Sequence, residues 1–135
     1  MAMTSGETTS EEVTDGIRVS VRASYSPEHS NPLQNQWFFL YTIEIMNESE
    51  RACQLVSRHW IIQDATGRTE EVRGPGVVGE QPKLAPGEGF EYTSGCPLPT
   101  PLGSMEGRYE MRDADGNSFD VRIARFELRE PGAIH

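Results

Sequence analysis

The chain has 135 residues and a mass of 15.1 kDa, with 36% hydrophobic residues and a net charge of −9 from 12 basic and 21 acidic side chains. That size and apolar content suit one globular domain and exclude wholesale disorder, collagen and a bare disulfide scaffold. The acidic balance argues against nucleic acid or anionic lipid as a partner, and no apolar run approaches the about 18 residues of a membrane span.

The N-terminus, from Met1 to Glu12, has neither the basic start nor the apolar stretch of a secretory signal, so a cytoplasmic protein is expected. It reads instead as a flexible acidic tail over residues 1–14, with the domain at 15–130 and a short C-terminal tail at 131–135. Glu7, Glu11, Glu12 and Asp15 carry four of the nine excess negative charges, which leaves about −5 for the remainder. Cys53 and Cys96 form no CxxC pair and are expected to be reduced, partly buried thiols.

Nine prolines and 13 glycines interrupt every candidate helical stripe, and period-two alternation dominates. Ile17, Val19, Val21, Ala23 and Tyr25 alternate with polar residues and predict a strand. Pro27 and Asn31-Pro32 predict a loop. A second strand spans Trp37 to Met46, with Phe39, Tyr41, Ile43 and Ile45 on one face. After a turn at Asn47–Glu50, a third strand runs from Ala52 to Asp64. The sequence Asp64-Ala-Thr-Gly67 predicts a turn into a short strand at Thr69–Val72.

Gly74–Gly89 shows no period and is expected to be loop. Phe90–Cys96 predicts a strand, and the proline-rich Pro97–Pro101 a connection outside any sheet. Asp113–Asn117 predicts a hairpin turn between strands at Gly107–Arg112 and Ser118–Arg129. In the last of these, Phe119, Val121 and Ile123 share one parity and Phe126 and Leu128 the other, which marks a β-bulge or a crossing between sheets. Seven to eight such strands predict an all-β sandwich of immunoglobulin-like or fibronectin type III-like form. The fibronectin variant is preferred because the Cys–Trp–Cys pattern of antibody domains is missing. Trp37, Phe39, Tyr41, Ile43, Phe90, Tyr92, Tyr109, Phe119, Val121 and Ile123 are the expected core.

Several stretches carry a resemblance in the same order along the chain: Asn47, Gln54–Ile61 (QLVSRHWI), Gly74–Pro82 (GPGVVGEQP) and Leu84–Glu88 (LAPGE). Tyr92–Cys96 (YTSGC), Thr100-Pro101 and Gly103–Gly107 (GSMEG), with Tyr109 and Met111, continue it. Over about residues 15–130 the chain resembles the ApaG family. The resemblance implies a fibronectin-type sandwich, genetic association with a diadenosine-tetraphosphate hydrolase and with cobalt and magnesium tolerance, and kinship to domains that work by binding other proteins. It implies no established catalytic activity.

Gly74-Pro-Gly-Val-Val-Gly79 matches GxGxxG, but a pyrophosphate site of the Rossmann kind needs a helix to follow, and Pro82, Pro86 and Gly87 forbid one. A weaker version has Gly74, Gly76 and Gly79, helped by Arg73, meeting a phosphate or pyrophosphate group. The bland version is a loop that crosses the sandwich. Ser57-Arg58-His59-Trp60 places Ser57 and His59 on one strand face and Arg58 and Trp60 on the other. Ser57 and His59 are too far apart for a nucleophile–base pair, no acid is evident to orient the histidine, and no GxSxG elbow exists. Arg58, His59 and Trp60 are therefore candidates for a protein-binding patch, with self-association as a second use of it.

The three histidines, His29, His59 and His135, have no partner at metal-ligand spacing. Asp113–Asn117 lacks the glutamate of a calcium loop, since Ala124 stands in its place. No metal site, no cofactor and no catalytic residue is expected. The leading expectation is a non-catalytic protein-binding module. A nucleotide or pyrophosphate binder comes second and a phosphohydrolase third.

Overall fold

The computed structural model describes residues 6–133. Nine strands build two antiparallel sheets: β1 Thr8–Thr14, β2 Ile17–Tyr25, β3 Trp37–Asn47, β4 Cys53–Asp64, β5 Thr69–Pro75, β6 Lys83–Leu84, β7 Gly89–Leu98, β8 Leu102–Asp113 and β9 Ser118–Arg129. One sheet has the order β1-β2-β3-β7. The other runs β5-β4-β8-β9, with β6 extending the β5 side of β4. The alternation of β2 and β3 turns Ile17, Val19 and Val21 together with Phe39, Tyr41, Ile43 and Ile45 onto one buried face. Leu55, Trp60, Met105, Tyr109, Met111, Val121, Ile123, Phe126 and Leu128 close on it from the opposite sheet. All ten expected core residues lie in this layer, with Trp37, Phe90 and Phe119 half-buried at its margins. The fold is the expected β-sandwich.

The flexible tail to residue 14 is corrected from Thr8 onward. Asp15 (φ 51°) and Gly16 (φ 79°) adopt the left-handed two-residue turn that joins hairpin strands, so Thr8–Thr14 folds back along Ile17–Ala23. Side chains then tie β1 to the other sheet. Thr8 Oγ1 donates to the Glu127 carbonyl, Ser10 Oγ donates to the Ala124 carbonyl at 2.8 Å, and Thr14 Oγ1 accepts the Arg122 amide at 3.2 Å. This closes one side of the sandwich. Residues 1–5 of the expected tail, and His135, lie outside the described residues.

Two more boundaries shift. Pro97 lies inside β7, opposite Phe38, because β7 is an edge strand and needs no amide on its outer side. Strand β8 begins at Leu102 rather than Gly107. Gly107 is in the strand because the chains approach closely there: a Cβ would sit 2.1 Å from the His59 carbonyl oxygen.

The expected break in β9 is a bulge. Met105 pairs with Phe126 but Gly107 with Ile123, so β9 carries one extra residue and its inward set changes parity. A second bulge, unforeseen, sits in β4. Leu55 pairs with Met111 and Ser57 with Glu110, which leaves Val56 as the extra residue. Before it Cys53 and Leu55 point inward. After it the inward set is Arg58, Trp60 and Ile62.

Candidate functional site

The Val56 bulge decides what each side chain of the Ser57–Trp60 segment can do. Trp60 is 3% exposed and packs edge-on against Tyr41 (centroids 5.5 Å apart) and Phe126 (6.0 Å). It is a core residue, which corrects its expected part in a protein-binding patch. Arg58 shares its side of the strand. Its Nη1 donates to the carbonyls of Pro75 and Gly76, each at 3.0 Å. Of the proposed trio, His59 stands on the outer face of the β5-β4-β8-β9 sheet, Arg58 borders the hollow there from beneath Gly74, and Trp60 does not reach it.

On that outer face, cross-strand pairing sets Arg73, His59, Arg108 and Arg122 side by side across all four strands. The next row is Pro75, Ser57, Glu110 and Asp120. Between them lies a shallow hollow of about 590 Å³ bordered by Ser57, His59, Arg73, Arg108, Glu110 and Asp120. His59 Nε2 is 2.7 Å from Glu71 Oε1, and the same oxygen accepts from Arg73 Nη2 at 3.2 Å. The His59 bond, followed by the Arg73 charge, holds the Glu71 carboxyl below its ordinary range. Ser57 Oγ donates to Glu110 Oε1 at 3.0 Å, and Arg108 lies 3.7 Å from Asp120.

His59 therefore does have an acid beside it, which the sequence concealed because Glu71 lies on the neighbouring strand. Ser57 is bonded to Glu110, so serine and histidine each have a separate carboxylate. A nucleophile paired with its base is not what this geometry presents.

The glycine segment takes a different place. Gly76 (φ 61°), Val78 (φ 42°) and Gly79 (φ 83°) form a tight turn in which the Val77 amide donates to the Glu80 carbonyl and the Glu80 amide to the Val77 carbonyl, both at 2.8 Å. The Val56 carbonyl, at the bulge, accepts the Gly76 amide at 2.9 Å and Gln81 Nε2 at 2.8 Å. Val77, 1% exposed, plugs the side of the sandwich between β5 and β7. The amides of Gly76, Val77 and Glu80 are thus occupied within the protein. The residues proposed for phosphate do not surround one hollow: Arg73 and Gly74 border the outer face, while Gly79 borders a separate cleft.

The remaining motifs have structural roles. Asp113 Oδ1 accepts the amides of Asp115 (2.9 Å) and Asn117 (3.0 Å), which builds the β8–β9 hairpin turn. Among the described residues no cluster of three or more His, Cys, Asp or Glu side chains could hold a metal ion. Cys53 and Cys96 are free, buried and in opposite sheets, and burial pushes the Cys96 thiol up to about 12. No described helix is long and apolar enough to cross a membrane.

Two antiparallel sheets packed face to face, with a polar hollow on one outer surface and a turn plugging one side, define a fibronectin type III-like sandwich domain. The ApaG domain family matches residues 27–113, and the chain belongs to that family. Protein ApaG of Bordetella pertussis is 54% identical over 119 residues, covering 88% of this chain and 91% of that protein. Protein ApaG of Paramagnetospirillum magneticum is 51% identical over 120 residues, covering 89% and 92%. The crystal structure of a Bordetella pertussis protein named ApaA superposes with a TM-score of 0.83 at 52% identity, covering 91% of this chain and 97% of that one. The C-terminal domain of wzt shares the fold alone, with a TM-score of 0.52 at 10% identity. Neither these likenesses nor the geometry indicates catalysis.

Proposed function

We propose that the domain is a non-catalytic binding module whose partner is another protein, engaged through the outer face of the β5-β4-β8-β9 sheet. The observation that carries this reading is the row Arg73–His59–Arg108–Arg122, which crosses four strands beside the open hollow. A chain of net charge −9 that sets three arginines and a histidine in one row concentrates its scarce basic side chains on this sheet face. Glu71, Glu110 and Asp120 flank the row, so the face presents alternating signs, a pattern that selects register and partner more than it adds affinity. Arginines suit such contacts because their planar forks pair with carboxylates in a fixed geometry.

A nucleotide suits this hollow poorly. No Phe, Tyr or Trp ring lines it for a base to stack on, and Glu110 and Asp120 would face the phosphates. Reduced thiols fit a cytoplasmic setting.

The test is quantitative recovery of partners from native lysate by the wild type, by Arg108→Glu, and by Glu44→Arg on the opposite sheet, each checked for an unchanged melting temperature. Loss of a discrete partner with Arg108→Glu and retention with Glu44→Arg is the expected result. Equal recovery by all three rejects the face.

A further inference from the structure

We propose that the cleft beneath the Val77–Glu80 turn is a binding site for a small oxyanion, a phosphoryl or carboxylate group, received by Arg58, Tyr92 and Ser94. The cleft opens on the side of the sandwich, shares only Arg58 with the outer-face hollow, and has a volume of about 180 Å³. At about 30 Å³ per water, it takes one such group with a few waters.

Its walls carry hydroxyls, a guanidinium and apolar carbon, and no acidic side chain lines it. Arg58 takes part in none of the ion pairs among the described residues, which engage Arg18, Arg22, Arg51, Arg73, Arg108, Arg122 and Arg125. A guanidinium has five N–H donors, and the bonds to the Pro75 and Gly76 carbonyls use Nη1 alone. A half-buried cation without a carboxylate is what an incoming anion completes.

The tyrosines keep donors available. Burial raises the Tyr41 and Tyr92 phenols above their ordinary value, so both stay protonated. The hydrogen bond between the Tyr41 and Ser94 hydroxyls leaves one proton of that pair to donate into the cleft. Tyr109, fully buried, shares a 2.5 Å hydroxyl contact with Tyr92. With Tyr109 as donor, the Tyr92 hydroxyl is left to donate into the cleft.

The turn above supplies the last element. Val78 holds φ at 42°, a conformation β-branched residues avoid, and the strain falls on the rim of the cleft. The amides of Val78 and Gly79 donate to no other group among the described residues. The site would therefore combine a cation, two hydroxyls and turn amides, a set that recognises oxygen anions.

The experiment titrates inorganic phosphate and, separately, acetate into the folded domain and follows amide shifts by heteronuclear NMR. Saturable shifts at Val78, Gly79 and Ser94 are expected, and the ion that saturates tells a phosphoryl from a carboxylate source. Ser94→Ala, which keeps the fold, should weaken binding about tenfold, the effect of one lost bond to a charged group. Arg58→Gln should abolish it, and Arg73→Ala should leave it unchanged. Absence of saturable shifts with either ion overturns the proposal. So does binding unchanged in Ser94→Ala, or binding lost in Arg73→Ala with shifts centred on Arg108 and Arg122.

Discussion

At Gly76 two independent constraints meet. Its φ of 61° is left-handed, and a Cβ there would stand 2.3 Å from the Glu80 carbonyl oxygen, which already accepts the Val77 amide. Gly76→Val should therefore cost about 2–4 kcal/mol of stability, from strained backbone plus a clash that only moving the turn relieves. A denaturant midpoint unchanged from wild type would show the turn to be freely adjustable. Asp64 offers a test in pH. The hydrogen bond from Thr66 Oγ1 (2.6 Å), then the amides of Thr66 and Arg68, hold its carboxyl below the ordinary 3.8. A depressed carboxyl adds stability that is present above the unfolded value and lost as pH falls through the folded one. Asp64→Asn keeps the Oδ1 acceptor but not the titration. Its melting-temperature deficit should be largest near neutral pH and shrink below about pH 4; a constant deficit would mean the charge has no part. Val56 is the residue the sequence hid. Alternation correctly paired Ser57 with His59 and Arg58 with Trp60, but a single extra residue exchanged inside for outside, and no composition signal marks it.

Strand β1 shows how an element's legibility depends on its turn. The hairpins at Asp64–Gly67 and Asp113–Asn117 were readable because an aspartate at the start and a glycine near the end sit between alternating runs. Asp15-Gly16 carries the same chemistry. It was obscured by the polar sequence Thr8–Thr14, whose side chains face solvent or bond to β9 backbone rather than fill the core. Such a strand leaves no apolar alternation to read. Its value is tertiary: it pairs along β2 and fastens the two sheets at one side. Removing residues 1–14 should lower the melting temperature and expose the β2 edge, measured as faster amide exchange from Ile17 to Ala23. Unchanged exchange there would show β1 to be dispensable.

Across the whole molecule the two outer faces differ. The β1-β2-β3-β7 sheet covers its surface with local pairs such as Arg18 with Glu11 and Glu48, and Thr42 with Thr93. The β5-β4-β8-β9 sheet has its pairs too, Arg73 with Glu71 and Arg108 with Asp120, but sets its basic row beside an open hollow. The sandwich itself was legible because burial on one face imposes period two on strand after strand. The face was not legible, because Arg73, His59, Arg108 and Arg122 are far apart in sequence and meet only through strand register. The most direct measurement of whether that face recognises a partner is site-specific photo-crosslinking in cells. A benzophenone side chain is placed at position 108 in one variant and at position 44, on the opposite sheet, in another. The account predicts a discrete heterologous adduct from position 108 and none from position 44. Adducts from position 44 alone, or the same adducts from both, would contradict it.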